Sequence, residues 1–123
     1  MRSILLIEDN DELRENTAEI LELANYKVTS AENGKVGIQA ALEKKPDLII
    51  CDVMMPGIDG IQMVKMLRQM PERRNIPILM ITAHGDVRAN AIEAGANRTI
   101  GKPFDLEELI TLARDMLSTG SER

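Results

Sequence analysis

A doubly wound α/β architecture, one parallel sheet of five strands with helices on both faces, is the fold class this sequence predicts, and three observations predict it. Short apolar runs rich in Ile, Leu and Val occur at 4–7, 48–51 and 78–81, as strands buried on both faces require. Between them lie amphipathic stretches with apolar residues three and four apart. The two patterns alternate five times with short connections and no repeat, linker or low-complexity tract, which implies a parallel sheet covered by crossover helices.

Taken in order, Ile4 to Ile7 form the first strand, and a helix begins near Asp11 with Leu13, Ile20, Leu21 and Ala24 on one face. Lys27 to Ala31 is a weaker strand, and the alternation assigns the next helix to the stretch after it. Leu48 to Cys51 make the third strand. The helix from Asp59 to Met70 turns Ile61, Val64 and Leu67 inward. Ile78 to Ile81 form the fourth strand, a short fourth helix falls before Gly95, and Arg98 to Gly101 make the fifth strand. Leu106, Leu109, Ile110, Ala113, Met116 and Leu117 mark the inner face of the last helix. Right-handed crossovers leave few arrangements, and the flavodoxin-like (βα)5 strand order 2-1-3-4-5 is the commonest for five strands. One domain is expected over residues 1–118, with 119–123 a polar C-terminal tail or linker stub.

Composition excludes several function classes. With Tyr26 and Phe104 the only aromatics, stacking on bases or sugars is nearly ruled out as a binding mode. A formal net charge of −5 argues against direct nucleic-acid binding, and the basic group Lys65, Arg68, Arg73 and Arg74 reads as a solvated helix face and loop. The single cysteine, Cys51, sits in an apolar strand, so no disulfide framework exists and a reducing compartment fits. No apolar run approaches the ~20 residues of a membrane span. Met1-Arg2-Ser3 enters the first strand directly and leaves no room for a signal peptide, so a cytoplasmic location is expected.

Ligands of such sheets bind beyond the C-terminal strand ends. Those ends carry Glu8-Asp9, Asp52, Thr82 and Lys102: three carboxylates, a hydroxyl and an ammonium around one crevice. Three close carboxylates raise the pKa of at least one of them unless a cation joins them. Mg²⁺ suits such a set, since it takes a few carboxylate oxygens, retained water and a phosphate oxygen. Each residue also has a plain structural explanation. Glu8 and Asp9 precede a helix, where acids meet the dipole, and Asp9 with Glu12 has capping-box spacing. Thr82 is a β-branched strand residue, and Lys102 a solvated charge. Asp52 is harder to explain that way, because it ends an apolar run. Together the groups suit attack by Asp52 on phosphorus to give an acyl phosphate, with Lys102 as a second point charge and Thr82 as hydrogen-bond donor. An ionised carboxylate needs no general base, and the only histidine, His84, lies in a loop.

The segments "LLIEDN", "LIICDVMMPGIDG", "LMITAHG", "EAGA" and "GKPF" occur in order at near-standard spacing, and on them the whole chain resembles the receiver domain of two-component response regulators. The resemblance implies that Asp52 accepts a phosphoryl group from a sensor histidine kinase or a histidine phosphotransfer protein. Asp9, Asp52 and the Met54 backbone carbonyl would hold Mg²⁺ (Mn²⁺ substituting), with Glu8 contributing directly or through water. Thr82 and Lys102 would contact the phosphoryl group, with Thr82 moving as the switch. Pro56 and Gly57 would shape the loop after the nucleophile, and the Lys102-Pro103 bond is often cis in the family. Such a domain promotes its own phosphorylation and dephosphorylation and is not a turnover hydrolase. A homodimer or output domain would use the face of the fourth helix, fifth strand and fifth helix; no membrane is implied.

Three features depart from the family pattern. Glu8 stands where aspartate is commoner. Thr99 occupies the usual position of an aromatic that swings inward with the threonine. The stretch from Thr82 to Gly95 is shorter than usual. Met54 and His84 hold positions linked to water access, and a bulky Met54 would shield the acyl phosphate. A haloacid-dehalogenase-type phosphatase needs a second aspartate two residues after its nucleophile, where this chain has Met54. A flavodoxin-like cofactor carrier is disfavoured by the acidic crevice. The remaining alternative is a degenerate receiver that binds partners independently of phosphorylation.

Overall fold

The computed structural model of the chain describes residues 1–83 and 86–121. Its elements are β1 (Ser3–Ile7), α1 (Asp11–Leu23), β2 (Lys27–Ala31), α2 (Gly34–Lys44), β3 (Leu48–Asp52), α3 (Gly60–Arg68), β4 (Ile78–Thr82), α4 (Asp86–Ala94), β5 (Arg98–Gly101) and α5 (Leu106–Ser121). All strand pairs are parallel and the order is β2-β1-β3-β4-β5, the predicted topology. Central β1, β3 and β4 are buried almost throughout, whereas edge strands β2 and β5 are only partly covered. The continuous apolar runs reflect this, since a central strand of a parallel sheet is covered on both sides.

Successive side chains point to opposite faces of a strand, so each run feeds two cores. Leu5, Ile7, Ile49, Cys51, Ile78 and Met80 join Met63, Val64 and Leu67 of α3 and Ala91 of α4. Ile4, Leu6, Leu48, Ile50, Leu79 and Ile81 join Leu21 of α1 and Leu109, Ala113 and Leu117 of α5. The two clusters fix the strands rigidly between them, and the strand ends inherit that rigidity.

Local details differ from expectation in instructive ways. α1 is capped by Asn10, whose side chain accepts the Leu13 N–H at 2.8 Å, not by Asp9. Asp59 caps α3 from outside, with Gln62 closing the capping box. α5 runs on to Ser121, through the first residues of the predicted tail. The basic group is only half solvated. Lys65 and Arg74 are exposed, but Arg73 is buried and donates to the carbonyls of Ala41 and Leu42 at 2.9 and 2.8 Å. Those are orphan carbonyls in the last turn of α2, which need partners. Arg68 likewise donates to the carbonyls of Arg74, Ile76 and Gly95 and to the Asn97 side chain. Among the described residues no helix is long and apolar enough to cross a membrane.

Candidate functional site

At the C-terminal edge of the sheet, β1 delivers Glu8 and Asp9, β3 ends in Asp52, β4 ends in Thr82, and Lys102 follows β5. Glu8, Asp52 and Thr82 are buried at 1–3% exposure, and Asp9 is exposed at the rim. Burial at this level is costly for a carboxylate, and Asp52 is compensated on both oxygens. Lys102 Nζ donates to its Oδ2 at 2.5 Å, and the Met54 N–H donates to its Oδ1 at 3.1 Å. Lys102 is itself placed by its backbone N–H, which donates to the Thr82 carbonyl at 2.7 Å.

Glu8 is only half compensated. Its Oε2 accepts the Asn10 N–H at 3.1 Å, whereas its Oε1 has no hydrogen-bond partner and lies 3.5 Å from Lys102 Nζ. Burial raises its pKa from 4.5 to about 7, opposed by the Asn10 bond and reinforced by the Asp52 charge. The rise expected of at least one acid thus falls on Glu8, with burial as its main cause and the Asp52 charge a lesser one. Burial pulls the Lys102 ammonium down, but the hydrogen bond and charge of Asp52, with Glu8 behind, outweigh it and raise it above 10.5. Cys51, next to Asp52, is a core thiol pushed up by burial, which keeps it unreactive.

One oxygen each from Glu8, Asp9 and Asp52 lie within 4.8 Å of one another. An all-oxygen donor set with one buried oxygen that accepts no hydrogen bond fits a hard divalent cation such as Mg²⁺. Asn10 performs the capping, which removes one of the two structural explanations for Asp9 and leaves the helix dipole. Thr82 Oγ1 is also buried with no hydrogen-bond partner, which leaves its hydroxyl able to donate to a ligand oxygen.

The loop after Asp52 holds Met54, Pro56 and Gly57 at the surface, Met54 being 68% exposed at the rim. Gly57 has φ +79°, a left-handed conformation that favours glycine. Lys102-Pro103 is cis, as the resemblance implied. Thr99 is half-buried in β5 opposite Met80. His84 lies outside the described residues. Beside Lys102 an open groove of ≈ 520 Å³ is lined by Leu13, Asn16, Lys102, Pro103, Phe104 and Leu106.

Two supporting residues escaped the sequence reading. A Cβ on Gly60 would lie 2.5 Å from the Asp52 carbonyl oxygen and 2.9 Å from Val53 Cα, so only glycine lets α3 approach the Asp52 backbone. Arg14 donates from Nη1 to the Glu8 carbonyl at 2.8 Å and pairs with Asp11 at 2.6 Å. Its spacing from Asp11 looks like an ordinary helix-surface pair, which hides the first of these bonds.

Residues 4–114 match the family model described as "Response regulator receiver domain". A phosphate regulon transcriptional regulatory protein, PhoB, of Pseudomonas aeruginosa is 36% identical over 118 residues, 94% of this chain and 52% of that protein. The DNA-binding dual master transcriptional regulator RpaA of Synechocystis is 35% identical over 119 residues, 95% of this chain and 49% of that protein. The chain therefore spans about half the length of these curated relatives. Among solved structures, the signal receiver domain of a histidine kinase from Syntrophus aciditrophicus superposes with TM-score 0.90 at 32% identity, covering 97% of this chain and 92% of that one. The Vibrio cholerae chemotaxis protein CheY4 superposes with TM-score 0.89 at 29% identity, over 94% and 98%. The names of the longer relatives run against the expectation of no nucleic-acid partner, for they include a transcriptional regulator and a DNA-binding one.

Proposed function

The chain belongs to the response regulator receiver domain family of two-component signalling, whose members are regulatory rather than turnover enzymes, and on that premise we propose that it is a Mg²⁺-dependent phosphoacceptor carrying the phosphoryl group on Asp52. The observation that carries this reading is a buried Asp52 paired to Lys102 with two buried oxygens beside it that make no hydrogen bond, Glu8 Oε1 and Thr82 Oγ1. Glu8, Asp9 and Asp52, with the Met54 carbonyl, are the residues that would hold the ion. Bound there, Mg²⁺ supplies neutralisation of the incoming phosphoryl charge.

The donor is a phosphohistidine on a sensor kinase or phosphotransfer protein, for which the open groove beside Lys102 and Phe104 is the nearest docking surface. A carboxylate oxygen of Asp52 forms the bond to phosphorus. The P–N bond breaks, and its electron pair returns to the imidazole nitrogen, which takes a proton from solvent. Lys102 follows the charge from Asp52 to a phosphoryl oxygen, and Thr82 donates its hydroxyl hydrogen to another. The movement of Thr82 carries the state of Asp52 to α4 and β5, where partners or an output domain read it. Regulation of DNA-bound output, as in the named relatives, is compatible with this role through a segment outside the match.

Incubation with acetyl phosphate and Mg²⁺, read by intact mass, tests the reading. One phosphoryl adduct is expected, absent in Asp52→Asn and with chelator. A folded native chain that takes no adduct would refute it in favour of a phosphorylation-independent interaction module.

A further inference from the structure

Glu8 and Asp9 leave β1 in a turn that must aim two neighbouring acids at one point. Successive strand side chains point to opposite faces, so extended backbone alone would splay them. What resolves this is the peptide plane between them, a rigid unit containing the Glu8 carbonyl and the Asp9 N–H. Fixing the direction of that carbonyl fixes the plane, and with it the departure of both side chains.

The Glu8 carbonyl is held by Arg14. Its Nη1 donates to that oxygen at 2.8 Å, and its Nη2 pairs with Asp11 Oδ1 at 2.6 Å, one turn away on α1. The Arg14 side chain is 15% exposed, whereas Asp11 is 78% exposed. The guanidinium therefore lies tucked under the turn, with both arms of its fork engaged. Two further bonds close the same turn: Asn10 N–H to the Glu8 carboxylate at 3.1 Å, and Arg14 N–H to the Asn10 carbonyl at 2.9 Å. Arg14 thus meets the turn through both its backbone and its side chain.

We propose that Arg14 is a positioning residue for the cation site: its bond to the Glu8 carbonyl orients the Glu8–Asp9 peptide so that both carboxylates converge with Asp52. The proposal rests on the metal-binding reading given above. It also makes a prediction opposite in sign to simple electrostatics. Arg14 is a positive charge beside a cation site, so its removal, which also frees the Asp11 carboxylate, tightens cation binding by Coulomb's law alone. Loss of orientation weakens it instead. Groups that hydrogen-bond and orient the ligands of a metal are worth about 10- to 100-fold in affinity.

The test compares the native chain with Arg14→Met and Arg14→Lys. Mn²⁺ affinity is read from the amplitude of the free-ion electron paramagnetic resonance signal, and Mg²⁺ affinity by calorimetry. Arg14→Met should bind either ion about tenfold more weakly. Arg14→Lys keeps the charge but has a single ammonium for two partners, and should fall between. With acetyl phosphate, Arg14→Met should need more Mg²⁺ but approach the native rate at saturation, because Asp52, Thr82 and Lys102 are untouched.

Equal or tighter ion binding by folded Arg14→Met would overturn the proposal, as would a loss of urea stability in chelator with unchanged affinity. Should Arg14→Met not fold, Arg14→Lys decides: native affinity overturns the proposal, weakened affinity supports it. A native chain that binds neither ion would overturn the metal reading itself, an outcome separable from failure of Arg14 alone.

Discussion

Replacing Glu8 with glutamine removes a buried, half-compensated carboxylate and keeps its shape. In the ion-free chain burial lifts the Glu8 carboxyl from 4.5 to about 7. Each tenfold change in proton affinity corresponds to about 1.4 kcal/mol, so the full rise amounts to about 3 kcal/mol. The sign follows from proton uptake. Between pH 4.5 and about 7 the folded state holds a proton that the unfolded state has released, so this contribution to stability is present at low pH and lost as pH rises. Between about pH 5.5 and about pH 8 the native chain should lose about 2 kcal/mol from this group alone.

Urea unfolding in chelator at those two pH values, on native and Glu8→Gln proteins, measures it. Other groups titrating in that window are common to both proteins, so the difference between them isolates Glu8. At a denaturant slope of about 2 kcal/mol per molar, the native midpoint should fall relative to Glu8→Gln by about 1 M. At about pH 8, Mg²⁺ should stabilise the native chain far more than Glu8→Gln, since binding to the folded state alone raises stability by mass action. A native-minus-variant difference that stays constant across the two pH values would refute the reasoning.

Thr17 Oγ1 is buried without a partner, so Thr17→Val, which keeps the shape, should raise stability by about 1 kcal/mol in urea unfolding. Gly60→Ala forces a methyl against the Asp52 carbonyl and Val53 Cα; it should cost about 2 kcal/mol or more and slow labelling by acetyl phosphate, both measured on one preparation. Arg73→Met should cost about 2 kcal/mol in thermal unfolding by stranding the Ala41 and Leu42 carbonyls, with little effect on Mg²⁺ affinity. Met54 stands exposed at the rim, and Met54→Asn should shorten the lifetime of the Asp52 adduct followed by intact mass after removal of the donor.

What was legible in the sequence divides by how a residue acts. The strands were readable because burial on both faces demands uninterrupted apolar residues, and Leu48 to Cys51 has no other economical explanation. The clustering of Asp52, Lys102 and the acids after β1 was readable because strand ends in a parallel sheet share one edge. Residues that act by contact were not. Arg73 sits in a polar loop and its carbonyl partners lie more than thirty residues earlier, a neighbourhood no local pattern records. Gly60 resembles any turn glycine until α3 is seen against the Asp52 backbone. The cap of α1 slipped by one residue because Asp9 and Asn10 are both good caps, and only the geometry of the turn chooses between them.

The output face was legible least, because there the familiar residue is missing and its substitute must be found in space. Thr99 lies opposite Met80 in β5 and supplies no ring to follow Thr82. The register supplies another neighbour. Thr82 pairs with Gly101, and the Lys102 N–H donates to the Thr82 carbonyl at 2.7 Å. A Cβ on Gly101 would lie 3.0 Å from Nη2 of Arg88 on α4 and 3.9 Å from that same Thr82 carbonyl. A bare backbone at Gly101 therefore lets an α4 guanidinium approach the strand beside Thr82. The charges around Asp52 and the approach of α4 to β5 rest on different residues, so a chain can keep the first intact while rebuilding the second.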